Sequence, residues 1–258
     1  MTSTRSRYGA LSLVALAGVA LAGCSKAPES ARAKVAPSTL LAQASAAVAK
    51  VPFVHVTGQV TSTKGNQKDL ISVEATSNQS GDSFGTLEFQ GPGMGFEGKT
   101  KFVVNDGKTF VFGGVNLWKS FFGSAANTPE AQGLLPKVTN HWIELPTAST
   151  TIIEDDAVGL TVPAHWLENS LTLKGQLTNA GDSSIGGENG VEVSSSQGAN
   201  VLVATTGTPL PLALSAETSK SGDTVNFTLV TSYPTTGTFV APSGAQSLQA
   251  LEAAYSGP

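Results

Sequence analysis

Gly93-Met-Gly-Phe-Glu-Gly98-Lys99-Thr100 fits the phosphate-binding pattern G-x-x-x-x-G-K-[ST], and the same stretch fits G-x-G-x-x-G. Both patterns hold phosphate only where the loop opens a helix, whose first N–H groups and dipole meet the anion. Here Lys101-Phe-Val-Val104 and the Asn105-Asp-Gly107 turn follow, which read as a strand and a hairpin. The stretch is therefore expected to be a glycine-rich turn. Gly81-Asp-Ser83-Phe-Gly85 fits the nucleophile elbow G-x-S-x-G, with His141 and His165 downstream as bases for acyl transfer. An elbow needs a helix after its serine, and Thr86–Gln90 reads as strand, so Ser83 is expected to be a turn residue. His55 alternates with core-facing valines and is expected to face solvent; His141 and His165, with Glu154, Asp155 or Asp156, are the candidate metal ligands, but no His-x3-His or comparable spacing unites them. No catalytic residue, metal or cofactor is expected, and the chain is not expected to be an enzyme.

The chemistry the sequence does predict is chemistry done to it. Cys24 is the only cysteine. Arg5 and Arg7 precede an apolar run, Ala10–Ala22, which closes in Leu21-Ala22-Gly23-Cys24. This reads as a secretory signal, and its end resembles a bacterial lipobox. Cleavage before Cys24 leaves a cysteine that takes a diacylglycerol thioether and an amide-linked acyl chain. The apolar run is shorter than the about 20 residues a spanning helix needs, whereas two or three acyl chains anchor stably. The mature chain is expected on the extracytoplasmic face of a bacterial cell membrane, anchored at Cys24. Lipidation also consumes the only thiol, which removes disulfides, thiolate catalysis and cysteine metal sites.

The formal charge is −4, and loss of Arg5 and Arg7 makes the mature chain more acidic. No nucleic-acid face is expected from that balance. Charged residues make up 13% of the chain, about half the usual share, so its surface must rest on Ser, Thr, Asn, Gln and Gly.

The elements follow from periodicity. Residues 1–23 are the signal, and 24–36 read as a flexible tether whose Ser25–Ala36 stretch reaches roughly 40 Å at about 3.3 Å per residue. Ser38–Val51 repeats Leu40, Leu41, Ala44, Ala47, Val48 and Val51 at helical spacing, with Ser38 as cap. After Pro52 the period becomes two, in five or so strands separated by Gly65-Asn66, Asn78–Asp82, Gly91–Gly95 and Asp106-Gly107. Val115–Leu145 reads as short helices and loops, with His141–Leu145 rejoining the sheet, and a further helix starts near Pro163. Alternation returns through Val191, Val193, Val201 and Val203. Leu210, Leu212 and Leu214 alternate around Pro211, a sign of an edge strand or a bulge, and Val225, Phe227 and Leu229 follow. The class is α+β, with the domain over 37–250 and a tail over 251–258, although a short helix through Leu248–Tyr255 is also readable.

Several motifs in order, Phe53-Val-His-Val-Thr-Gly58, Asn105-Asp-Gly-Lys-Thr-Phe110, Asn116-Leu-Trp118, His141-Trp-Ile-Glu-Leu-Pro146, Gly187-Glu-Asn-Gly-Val-Glu-Val193 and Thr206-Gly-Thr-Pro-Leu-Pro-Leu212, carry a family likeness. This order resembles the actinobacterial LppX/LprA/LprF/LprG lipoproteins and, more distantly, the LolA/LolB lipoprotein carriers, over roughly Ser38 to Ala250. The resemblance implies one strongly curved antiparallel β half-barrel with helices on its concave face and an apolar cavity between. It implies binding of an acylated lipid or glycolipid, its transfer across the envelope, an envelope transporter as partner, and no catalysis. The aromatic run Trp118–Phe122 and the polar segment Leu177–Asn189 depart from the family pattern.

Apolar side chains on one sheet face suit such a cavity, since each buried CH2 gains about 0.8 kcal/mol. The expected lining is Val56, Val60, Ile71, Val73, Leu87, Phe89, Phe102, Val104, Phe110 and Phe112. The competing expectation is a non-catalytic structural or interaction lipoprotein, accessory to an envelope complex, with the same face closed as core.

Overall fold

The computed structural model describes residues 30–94, 97–146, 161–220 and 223–256. Cys24, the expected signal over 1–23, and Glu154, Asp155 and Asp156 lie outside the described residues. Twelve strands form one sheet among the described residues: β1 Phe53–Lys64, β2 Gln67–Asn78, β3 Ser83–Gln90, β4 Gly98–Asn105, β5 Lys108–Gly113, β6 Trp142–Glu144, β7 Leu177–Ile185, β8 Glu188–Ser195, β9 Ala199–Ala204, β10 Pro211–Lys220, β11 Asp223–Ser232 and β12 Gln246–Ser247. Their order is β12-β6-β5-β4-β3-β2-β1-β11-β10-β9-β8-β7. Every pairing is antiparallel except β12 on β6. The sheet is curved and unclosed, with β12 and β7 at its edges.

Turn chemistry sets this meander. Asp106 and Gly107 both take positive φ, 52° and 71°, the conformation that a two-residue hairpin of matching twist requires. The two halves of the sheet meet where β1 pairs with β11. Gly58 sits on that seam, and a Cβ there would lie 2.1 Å from the Thr228 carbonyl oxygen and 2.8 Å from the Leu229 Cα. Only glycine lets the two strands approach this closely.

Five helices accompany the sheet among the described residues. They are α1 Pro37–Val48, α2 Val115–Phe122, α3 Pro129–Val138, α4 Pro163–Ser170 and α5 Leu248–Ser256. Side chains of eight strands, from Val54 and Val56 through Phe102 on one half to Val191, Val201 and Leu229 on the other, join one buried cluster with α1 and α4. The sheet therefore wraps around these two helices, as the half-barrel expectation required. A second core gathers Val111, Trp118, Leu135, Val138, Ile143 and Leu248 where α2, α3 and α5 meet β5 and β6. The aromatic run Trp118–Phe122 belongs to this second core, with Trp118 buried and its ring 5.5 Å from that of Phe121.

Three sequence expectations change, and at Pro211 one of two alternatives is decided. Helix α1 begins at Pro37 with Ala36 as its uncapped N-terminal neighbour, so Ser38 is inside the helix and does not cap it. Of the two alternatives at Pro211 the bulge is the one found: Pro211 opens an interior strand, β10, between β9 and β11, and the register shift between Pro211 and Ala213 accommodates its missing N–H. Residues 251–256 continue α5 and are not a tail. Of the proposed tether, Ser30–Val35 is bound to the sheet: the Ser30 hydroxyl donates to Asp182 at 2.9 Å, and Asn179 donates to the Ala33 and Val35 carbonyls at 2.7 and 2.9 Å.

Candidate functional site: the inner face of the half-barrel

Strand pairing fixes which side chains share the inner face. Val56 faces Ala75, Val60 faces Ile71, Ile71 faces Phe89 and Val73 faces Leu87, while Gly85 faces Phe102 and Ser83 faces Val104. Eight of the ten expected lining residues thus lie on one face: Val56, Val60, Ile71, Val73, Leu87, Phe89, Phe102 and Val104. Phe110 and Phe112 do not. The β4–β5 hairpin pairs Asn105 with Lys108 and Phe102 with Val111. A two-residue turn makes an even number face an odd one, so the inner residue of β5 is Val111. Phe112 lies on the outer face, its ring 5.6 Å from Trp142 with the Lys101 ammonium 5.7 Å from its centroid. Phe110, also outward, is buried there.

Two ties hold α1 and α4 across the inner face. Pro163 is the first helical residue of α4, where a missing N–H costs nothing. The next N–H, of Ala164, donates to the buried Ser77 hydroxyl on β2 at 2.8 Å. At the other helix, the Gln79 amide donates to the Val48 carbonyl at 2.8 Å and satisfies the C-terminal end of α1. The end of β2 and the turn after it, through Ser77 and Gln79, therefore position the start of one helix and the end of the other.

Beneath the helices the inner face is closed. Val54, Val56, Val73, Leu87, Phe102, Leu40, Ala44 and Leu167 are all buried. Toward the hairpin tips the cover thins. Val60, Phe89, Phe227 and Trp166 are half-buried, and Val225 is 39% exposed. The Trp166 ring on α4 meets Phe227 edge-on at 5.7 Å. At the β7 side a groove of about 480 Å³ runs between α1 and α4, lined by Ser38, Leu41, Ala42, Ser45, Ala46 and Ala49 and by Glu168, Leu171, Thr172, Leu173 and Leu177. That volume is within the about 300–1,000 Å³ of small-ligand sites. None of the groove residues was among the expected lining, because the sequence does not say which helix faces which. The exposed Ala42, Ala46 and Ala49 do carry a signal: small residues along one stripe of an amphipathic helix leave room for something else.

The catalytic motifs find no matching context. Ser83 opens β3, which runs on as strand to Gln90 where an elbow needs a helix straight after the serine, and its buried hydroxyl has no hydrogen-bond partner among the described residues. His55 Nδ1 lies 2.9 Å from the Thr76 hydroxyl, His141 Nδ1 2.8 Å from the Thr139 carbonyl, and His165 Nε2 3.2 Å from the Gln79 carbonyl. Gly98–Asn105 after the glycine-rich turn is strand β4. Among the described residues no three His, Cys, Asp or Glu side chains gather as a metal site, and no helix is long and apolar enough to cross a membrane.

No family model matches the sequence, and no curated protein matches it. Among solved structures, LprF from Mycobacterium bovis matches with a TM-score of 0.52 at 14% identity, over 81% of this chain and 97% of LprF. The chain has the LprF fold. The lipoprotein LppX from Mycobacterium tuberculosis gives a TM-score of 0.43 at 14% identity, over 76% of this chain and 93% of LppX. A LolA-superfamily protein from Nitrosomonas europaea gives 0.30 at 14% identity, over 77% and 92%. The LppX/LprF-type half-barrel expected from the sequence is the fold found.

Proposed function

We propose that this chain is a membrane-anchored lipoprotein that binds an acylated lipid or glycolipid and helps move it across the cell envelope. The observation that carries the reading is the α1/α4 groove of about 480 Å³, apolar along Leu41, Leu171, Leu173 and Leu177 and backed by the core of an LprF-type half-barrel. An acyl chain needs no directed chemistry, only apolar surface, and gains about 0.8 kcal/mol per methylene removed from water. Ser38, Ser45 and Thr172 supply hydroxyls and Glu168 a carboxylate for the polar part of the ligand. Cys24, as the acylated residue, holds the domain beside its lipid source on the extracytoplasmic face. Of the expected lining, Val60 and Phe89 remain candidates for ligand contact, with Trp166 and Phe227 added to them. Val56, Val73, Leu87 and Phe102 act as the wall behind.

Transfer of a fluorescent diacyl lipid between vesicle populations tests this reading. The protein should raise the transfer rate in proportion to its concentration. A rate equal to that of vesicles alone would exclude a carrier role.

One observation favours a second reading. The inner face beneath α1 and α4 is fully packed, as expected of a structural or interaction lipoprotein accessory to an envelope complex. A protein that leaves transfer unchanged yet co-purifies stoichiometrically with an envelope protein would support it.

A further inference from the structure

The polypeptide enters the fold through a set of contacts that a flexible tether would not make. The Ser30 amide and hydroxyl both donate to the Asp182 carboxylate on β7, at 3.0 and 2.9 Å. The Arg32 guanidinium donates to the carbonyls of Ala204, at the end of β9, and of Thr206 and Gly207 in the β9–β10 connection. Asn179 on β7 closes over the Ala33 and Val35 carbonyls, and the Ala33 side chain is buried in the main core. A guanidinium offers five N–H groups in a fixed fork, so these three carbonyls set its position.

From these contacts we infer that Ser30–Val35 is a clasp, which holds the β7 edge of the sheet and the α1/α4 groove against the bilayer surface in which Cys24 is anchored. The inference rests on the reading of Cys24 as the acylated residue. The occupant of this edge is a lipid surface, and the length of chain before the clasp is the reason. Cys24 and Ser30 are six residues apart and can be separated by at most about 20 Å in any conformation. A tether running to Ala36 would let the domain swing through roughly twice that distance. Leu177, which lines the groove, is two residues from Asn179 on β7, about 7 Å along the strand. Ser30, the clasp residue nearest the anchor, is held at Asp182, five residues or about 17 Å along β7 from Leu177, so the mouth of the groove stays within about 40 Å of Cys24. β7 is also an edge strand of the sheet, and the clasp is held there by the Asn179 and Asp182 side chains.

Two measurements test the clasp separately from the anchor. Acylation leaves no native thiol, so Ser184→Cys near the end of β7 and Asn127→Cys between α2 and α3 each give one labelling site. On phosphatidylcholine vesicles carrying nickel-chelating headgroups, a spin label at 184 should collide with nickel at least threefold more often than one at 127. Arg32→Ala with Asn179→Ala should bring the ratio close to one; equal ratios in the intact clasp would overturn the proposal. In the unacylated soluble chain from Cys24 onward, spin labels on Cys24 and Ser184→Cys should give distances that all lie below about 35 Å, since only six residues separate Cys24 from Ser30. The clasp variant should add distances beyond that bound, and a large population beyond it in the intact chain would overturn the clasp whatever the state of Cys24. Intact mass of the protein from membranes reports acylation alone, so failure of the anchor is read independently.

Discussion

Replacing Ala46 by tryptophan fills the groove without entering the core. Ala46 is exposed on α1 and its side chain lines the groove beside Ala42 and Ala49. A tryptophan brings roughly 150–250 Å² of aromatic surface to such a place. Excluding three or four methylenes of an acyl chain forfeits about 3 kcal/mol, or about 100-fold in Kd. The effect on folding is small, because alanine to tryptophan in an exposed helix position costs about 0.5 kcal/mol. For a domain of this size that is a fall in Tm of about 1–2 °C. Displacement of a fluorescent polyene fatty acid measures the first quantity, and thermal unfolding of the same sample measures the second. Ala46→Trp that melts like the parent protein and binds the probe as tightly would refute the groove as the ligand site.

Other outcomes follow from the same geometry. Leu87→Ala removes a fully buried side chain from the closed wall, which should cost about 2–5 kcal/mol and lower Tm by at least about 4 °C, with probe affinity in the folded fraction unchanged. Gly58→Ala should destabilise by 1–3 kcal/mol or more, because both the Thr228 oxygen and the Leu229 Cα are backbone atoms that cannot step aside; urea unfolding would read the loss. Burial pushes the Tyr233 phenol well above its usual value, and its hydroxyl donates to the Pro211 carbonyl at 2.6 Å. The unfolded chain then releases this proton first, so stability should be complete below about pH 10 and fall as pH rises beyond it. Tyr233→Phe should flatten that alkaline decline, which Tm measured from pH 9 to 11 would show.

Much of the fold was legible in the sequence because two periods and a few turn residues decide it. Val54, Val56 and Val60, and then Ile71, Val73 and Ala75, alternate as β1 and β2 do, and Pro163 marks the first turn of α4. Phe110 and Phe112 show where alternation stops being informative. Within β5 it says that they share a face, but the parity of the Asp106-Gly107 turn decides which face: a two-residue turn pairs Asn105 with Lys108 and so Phe102 with Val111, a signal in the turn that alternation alone does not carry. The seam of β1 with β11 joins residues more than a hundred positions apart, so nothing local announces that Phe227 lies beside Val60. The clasp was hidden for a similar reason. Ser30, Arg32 and Ala33 look like linker residues until Asp182 and Asn179 are brought to them by the β7–β8 hairpin.

Native mass spectrometry of the exported Cys24→Ala protein, purified without detergent, tests lipid carriage most directly. With the acyl anchor removed, any lipid that remains is cargo. The predicted spectrum contains a non-covalent adduct of lipid mass that is lost on denaturation and weakened by Ala46→Trp. A spectrum containing only the protein's own mass, from a sample that melts cooperatively, would contradict lipid binding by this half-barrel.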